Sequence, residues 1–469
     1  ILFAHIFGAG PQADAYWLAR VIPIGVYLIF DNLLYNAFVP VFRDDASGKN
    51  QRTFLSTVAV LVCLSALVIT LVLEVGSGFW ANFLGKEVDP TTRVHTLMLF
   101  RIMSIAIVLA IPASLLKALN VCHGRYVLAS LDGLVMTGFT VGALLLAATG
   151  QNIAWVAASL PGACLTLLLI QALFVRKNLS LGRPDIRNPV VREFAILLAP
   201  LAVFNVLHQI NLIVINGFLA HSGEGAVSWF HYSYNIAQIP VSVIDLVLLS
   251  TLFPFASALL AHNDKETFSD AFHAAAGWLV AVLVPAAAWL VLNRTALVQL
   301  VFRHGQFDDT AAIGTAGCLV GVGLAAVPWT LEAFGCRCLL ALKRHSTYAS
   351  IVGIRVAANI VLGFALARSF GAYGISVAFA LSFCIGAVLA LCAVAQTVGD
   401  GAFFRRLARP TLLGLAAAAG VAAIHLGIGA TGIAGHFTRL AIEAILGAAV
   451  IVGVYWPVAR HGRRLARKG

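Results

Sequence analysis

The sequence predicts an all-α polytopic membrane protein, and three observations lead there. Of its 469 residues, 60% are hydrophobic and only 11% charged, where soluble domains run near roughly 45–50% and 25%. Mean hydropathy is +0.93. Residues 133–175, 310–331, 369–399 and 410–438 contain no Asp, Glu, Lys or Arg, and about 20 apolar residues suffice for one crossing. A water-soluble enzyme, a disordered chain and a collagen are excluded together.

The spans follow from where charge and turn residues interrupt the apolar runs. A short apolar stretch at 1–8 ends at Gly8-Ala9-Gly10-Pro11, read as a tight turn and as the end of a helix whose beginning is missing. Helices are then expected near 13–40, 53–73, 95–121, 126–148, 153–175, 193–219, 226–255, 268–292, 311–340, 347–366, 372–398, 410–428 and 439–459, which implies about fourteen transmembrane helices with the first one truncated. Thr149-Gly150-Gln151-Asn152 divides the longest charge-free run into two helices.

Loop charge tests that list. Alternate loops and the tail carry 20 of the 31 Lys and Arg residues, the opposite loops carry 6, and Arg20, Arg101, Lys117, Arg337 and Arg355 fall inside helices. A wrong helix count would scramble this alternation. By the positive-inside rule the C-terminus is cytoplasmic. The same rule accounts for the net charge of +11 without nucleic acid. The eight cysteines lie in or beside apolar segments with no CxxC, and the histidines form no HExxH, so neither disulfides nor a metal is expected. No Walker or kinase-like motif is present, and no cofactor is implied.

The chain repeats itself. Ala37-Phe38-Val39-Pro40-Val41-Phe42 resembles Thr251-Leu252-Phe253-Pro254-Phe255-Ala256 at an offset of 214, and Pro112 and Tyr126 resemble Pro328 and Tyr348 at offsets of 216 and 222. Two pseudo-symmetric six-helix lobes are therefore expected, at 1–176 and 177–398, with two extra C-terminal helices and a basic tail at 399–469. Parallel halves with a substrate path between them are a transporter architecture.

Polar residues inside the membrane are costly and face a cavity or a partner. In 226–255, Ser228, His231, Asn235, Gln238, Ser242 and Asp245 follow steps of three and four, one helical face nearly as deep as the bilayer. In 13–40, Arg20, Tyr27 and Asp31 share a face, and an arginine fork suits a phosphate. Arg20 could instead pair with an intramembrane acid. Asn205 on 193–219 and Arg355 with Asn359 on 347–366 are further candidates. Glu74, Lys117, Glu332 and Arg337 lie near helix ends and read as structural. Asp14, at a helix start, reads as an N-cap.

Phe7-Gly8-Ala9-Gly10, Asp14-Ala15-Tyr16, Pro23 and Ala37-Phe38-Val39-Pro40, then Val227-Ser228-Trp229 with Tyr232 and Pro240, Leu252-Phe253-Pro254, and Val301-Phe302-Arg303-His304-Gly305-Gln306-Phe307 occur in the order of the MurJ (MviN) family signature. The chain resembles that family, lipid II flippases of the MOP exporter superfamily, over nearly its whole length. The resemblance implies fourteen helices in two lobes around a central cavity. It also implies a C-terminal helix pair forming a groove for a polyprenyl tail, and alternating access. It places cavity arginines on helices 1, 2 and 8. Here Tyr27 and Asn235 stand where two are expected, and Arg20 lies elsewhere on helix 2.

The expected function is translocation of lipid II, an undecaprenyl-diphosphate peptidoglycan precursor, across the bacterial cytoplasmic membrane. The partners expected are a lipid-linked saccharide and membrane lipids, with the chain acting as a monomer and the coupling ion left open. Two rivals follow from the same residues. One is an exporter of another polyprenyl-linked saccharide, or of amphipathic cations through Asp31 and Asp245. The other is a membrane enzyme acting on polyprenyl phosphates through Asp308, Asp309 and His304.

Overall fold

The computed structural model describes residues 1–44, 48–80, 90–150, 152–176, 182–247, 265–430 and 436–466. The described chain is built of helices: α1 (Leu2–Phe7), α2 (Pro11–Leu33), a π-helical turn (Leu34–Phe38), α3 (Val39–Asp44), α4 (Gly48–Val75), α5 (Pro90–Cys122), α6 (Tyr126–Ala129), α7 (Leu131–Gly150), α8 (Ala154–Val175), α9 (Pro189–Ala220), α10 (Ala226–Val247), α11 (Lys265–Leu292), α12 (Arg294–Phe302), α13 (Asp309–Ala341), α14 (His345–Val398), α15 (Phe403–Ala430) and α16 (His436–Ala466). Among the described residues, ten helices are long and apolar enough to cross a membrane, and the protein is a multi-pass membrane protein. α10 is not among the ten because its polar stripe dilutes its hydropathy.

Two features go beyond the expected spans. The spans predicted at 347–366 and 372–398 form one helical run of 54 residues, broken at Gly371, where φ is 56° and ψ −136°. At about 1.5 Å per residue such a run measures roughly 80 Å, far more than the ~30 Å hydrocarbon core, so it makes two passes around that glycine. Only glycine takes this backbone geometry without penalty. The short helix α12 was not foreseen; it follows α11 after Asn293.

The chain forms two compact units: Ile1–Ser228 with His304–Phe307, and Trp229–Arg303 with Asp308–Gly469. In the first, α5 is the central helix, packed against α2, α4 and α8, while α7 lies on α8 and α9 on α2. Leu99, Phe100, Met103, Ile107 and Ile111 of α5 are fully buried. Phe38 stacks on Phe54 at 5.5 Å between centroids, and Phe194 meets Phe54 edge-on at 5.7 Å. The loop Gly8–Gly10 meets the His304–Phe307 segment, where Gln306 N donates to His5 O at 3.0 Å. Both Gly8 and Gly305 have positive φ, and a Cβ on either would strike the other segment's backbone oxygen.

In the second unit, α13 packs on α14 and α11, α15 lies on α11, and α16 on α15. Phe272 stacks on Phe334 at 5.2 Å and on Phe403 at 5.1 Å. Asp308 caps α13 by accepting from Ala311 N at 2.8 Å, and Asp309 pairs with Arg303 at 2.9 Å. Both acids of the proposed enzymatic cluster therefore have structural tasks.

Two helical hairpins turn through left-handed residues: Gly124 (φ 77°) between α5 and α6, and Lys343 (φ 57°) between α13 and α14. A side chain in that region costs roughly 1–2 kcal/mol. Lys343→Gly is expected to stabilise the protein by about 1 kcal/mol, read as a higher midpoint in detergent thermal unfolding.

Candidate functional site

Helix α2 starts with Pro11 at its first turn and Gly10 as N-cap, a favoured entry because the proline's missing N–H would be unpaired there anyway. Its polar face then carries Arg20, Tyr27 and Asp31. Arg20 and Tyr27 line a cavity of about 400 Å³ inside the first unit, together with Tyr16, Thr137 and Thr140 of α7 and Ser159 of α8. The Arg20 guanidinium lies 5.3 Å from the ring centroid of Trp17. Among the described residues no carboxylate pairs with it. A cation in a membrane helix with aromatic and hydroxyl neighbours is equipped to receive an anion.

Asp31 faces a different environment. Lys117 Nζ of α5 lies 2.5 Å from Asp31 Oδ1 and 2.7 Å from Asp132 Oδ2 of α7. The Tyr27 hydroxyl donates to the same Asp132 oxygen at 3.5 Å. Tyr27 thus joins the cavity to a three-charge cluster. Lys117, read from sequence as a structural residue near a helix end, lies five residues before the end of α5 and is buried. Nearby, Asn120 donates to Gln171 Oε1 at 2.8 Å, so the α5–α8 seam is polar as well.

Asp14 does not cap its own helix. Its carboxylate accepts from Gly225 N at 2.7 Å, Ser228 N at 2.8 Å and Ser228 Oγ at 2.6 Å. It thereby satisfies the first amides of α10 from 211 residues away. Gly25 lets α9 approach α2: a Cβ there would lie 2.6 Å from Gln209 Oε1.

Along α10 the predicted stripe divides. Ser228 is buried on Asp14, His231 and Gln238 are half-buried, and Asn235 and Ser242 are exposed. Ile239 and Val243 are exposed beside Asn235, while Phe230, Ala237 and Val241 form the buried face. The side chain of Asp245 lies outside the described residues. On α9, Asn205 donates to the Leu201 carbonyl of its own helix at 2.8 Å.

Arg355 is brought to another place altogether. It is buried in the second unit, with Nε 2.9 Å from Glu332 Oε1 and its guanidinium 4.6 Å from the Phe383 ring centroid. A further cluster escaped the sequence reading. Glu443 of α16 accepts from Asn293 Nδ2 at 2.7 Å and Arg439 Nε at 2.9 Å, and lies 3.0 Å from His425 Nδ1, tying α16 to α15 and to the α11–α12 junction.

Removing one partner of a buried pair leaves an uncompensated charge. Arg355→Leu is expected to cost about 3–5 kcal/mol, and adding Glu332→Leu to recover most of it. Thermal unfolding of the two purified variants checks both halves of that statement.

The family model described as lipid II flippase MurJ matches residues 3–441. Among curated proteins, the chain is 26% identical over 445 residues to the probable lipid II flippase MurJ of Rhizobium meliloti (strain 1021), covering 91% of this chain and 82% of that one. It is 25% identical over 375 residues to the probable lipid II flippase MurJ of Chlamydia muridarum (strain MoPn / Nigg), covering 77% and 68%. Among solved structures it is similar to lipid II flippase MurJ in an inward closed conformation, with TM-score 0.83, 18% identity and coverage of 98% and 95%. An inward-facing multidrug resistance MATE family transporter of the MOP superfamily follows at TM-score 0.72 and 12% identity, covering 86% and 94%. The two likenesses show the fold. With nearly its whole length accounted for by that family model, the chain belongs to the lipid II flippase MurJ family.

Proposed function

We propose that this protein carries lipid II from the inner to the outer leaflet of the bacterial cytoplasmic membrane by alternating access, without making or breaking a covalent bond. The observation that carries this reading is Arg20: a cation inside a membrane helix, without a carboxylate partner among the described residues, opening with Tyr27 into a cavity of about 400 Å³. A diphosphate leaving water loses several kcal/mol of hydration per polar group unless donors replace it. A guanidinium supplies paired donors in the geometry phosphate oxygens accept, and Tyr16, Thr137, Thr140 and Ser159 can serve the sugar hydroxyls.

The alternation of loop charge supports a cytoplasmic C-terminus, and the α15–α16 pair is the proposed rest for the polyprenyl chain. Asn235, Ser242 and Gln238 of α10, with His231, Asn205 and Asp245, are proposed to hydrate the headgroup's route. The protein acts as a monomer in this scheme. Arg355, being buried on Glu332, is proposed to hold the second unit together rather than to touch substrate.

Arg20→Ala is expected to abolish rescue of a strain depleted of its lipid II flippase, and Arg20→Lys to retain part of it, since an ammonium keeps the charge but loses the fork. A leaflet-sidedness assay of lipid II after depletion reads the same loss directly. Full rescue by Arg20→Ala removes this residue from the site.

A further inference from the structure

Five aromatic rings from three helices gather in the second unit: Phe230 and Tyr234 of α10, Trp329 of α13, and Phe379 and Phe383 of α14 beyond the break at Gly371. The three phenylalanines are buried, as an apolar core requires. The two rings with a polar edge are the ones that keep part of their surface outside the cluster. Tyr234 lies against Trp329 at 5.3 Å between centroids and 29° between planes. Phe383 backs Trp329 at 5.6 Å and 31°. Phe379 meets Tyr234 and Trp329 edge-on, at 6.2 and 6.1 Å. Two partly open rings are thus held at a fixed tilt by the buried rings around them.

Packing alone does not ask for this choice of residues. A bilayer places Trp and Tyr at its two interfaces, where the polar edge reaches water. Trp329 follows Pro328 well inside α13, and Tyr234 lies about two turns into α10. A phenylalanine would serve the cluster without carrying an N–H or O–H into the membrane. The neighbours on α10 are polar as well. Gln238 lies one turn beyond Tyr234 on the same side of the helix and is half-buried, and Asn235 beside it is exposed. Each amide offers donors and an acceptor and no charge. The cation against this cluster, Arg355 over Phe383, is already tied to Glu332.

These groups together have a definite chemistry. One face of a pyranose ring is a patch of C–H groups, slightly positive, which settles on the negative face of an aromatic ring. Its rim is hydroxyl groups that both give and take hydrogen bonds, as amide side chains do. A diphosphate asks for cationic donors instead, and Asn235 and Gln238 are neutral. We propose that Trp329 and Tyr234 form a saccharide subsite, in which a sugar ring lies on the open face of Trp329 with Asn235 and Gln238 bonded to its rim. The inference rests on the transport reading and deepens it: the second unit recognises the sugar of the lipid-linked substrate, so that a bare polyprenyl diphosphate is held less tightly than one that carries a saccharide.

Binding to the purified full chain tests this with two probes, undecaprenyl diphosphate alone and the same lipid bearing a disaccharide without peptide. Trp329→Met fills the space without a ring, and Asn235→Leu removes an amide at an exposed position, where folding is least disturbed. Each is expected to weaken the disaccharide lipid roughly five- to tenfold and to leave undecaprenyl diphosphate unchanged. Trp329→Tyr keeps a ring and is expected to retain most of the affinity. Equal loss of both lipids in both variants, or no loss in either, overturns the proposal. A soluble disaccharide of amino sugars, diacetylchitobiose, is expected at millimolar concentration to alter the tryptophan fluorescence of the wild-type chain and not that of Trp329→Met. No change in the wild-type chain, or the same change in Trp329→Met, also overturns it. If the wild-type chain binds neither lipid, the transport reading fails, while the soluble sugar still decides whether these rings receive a saccharide.

Discussion

A bilayer interior offers no water to a charged side chain, so each charge on these helices must find its solvation in the protein. The described residues show how completely this governs the molecule. Lys117 is held by two carboxylates, Arg355 by one, Glu443 is surrounded by Asn293, Arg439 and His425, and Asp14 accepts three hydrogen bonds at the start of α10. Each of these groups joins two or more helices, so charge compensation also fixes which helices stay together. Arg20 departs from the pattern. It has a ring face and a cavity where the others have counter-charges or hydrogen-bond donors. Substrate must supply what the protein withholds, and that is why the binding assignment falls on Arg20 rather than on the better-buried Arg355.

Much of the fold could be read from the residues because membrane physics writes it there. Spans are apolar runs, loops are charge and turn residues, and the alternation of basic loops constrains the count. Polar partners were harder. Asp14 looked like an ordinary N-cap, and nothing local to it announces that its acceptors serve amides 211 residues away. Lys117 is the helix-end residue it looked like, five residues before Cys122, but nothing local to it announces its burial between two carboxylates. A signal was present. In an antiparallel hairpin, partners lie equally far from the turn. The midpoint of 117 and 132 is 124.5, between Gly124 and Arg125, and that of 332 and 355 is 343.5, between Lys343 and Arg344. Opposite charges reflected about a turn were legible, and the polar-stripe criterion passed over them.

The repeat runs deeper than its motifs. Asp31 and Asp245 are separated by 214 residues, the same offset as the Phe-Val-Pro and Leu-Phe-Pro segments. The helix-bridging pair recurs in both halves with cation and anion interchanged. What has been kept between the halves is the location of a charge contact, and what has been free to vary is its polarity. Such drift is expected where an ion pair serves packing, since either orientation satisfies the interior.

The four residues His304–Phe307 belong to the first compact unit although the chain on both sides of them belongs to the second. Their backbone clasps that of His5 and Gly8 through two left-handed glycines. As the protein emerges from the ribosome, its amino-terminal bundle consequently waits for some eighty further residues after Ser228 before its last piece arrives. The nascent bundle must be sheltered in the bilayer with an open seam during that interval, and no single cut of the polypeptide can yield two self-sufficient fragments.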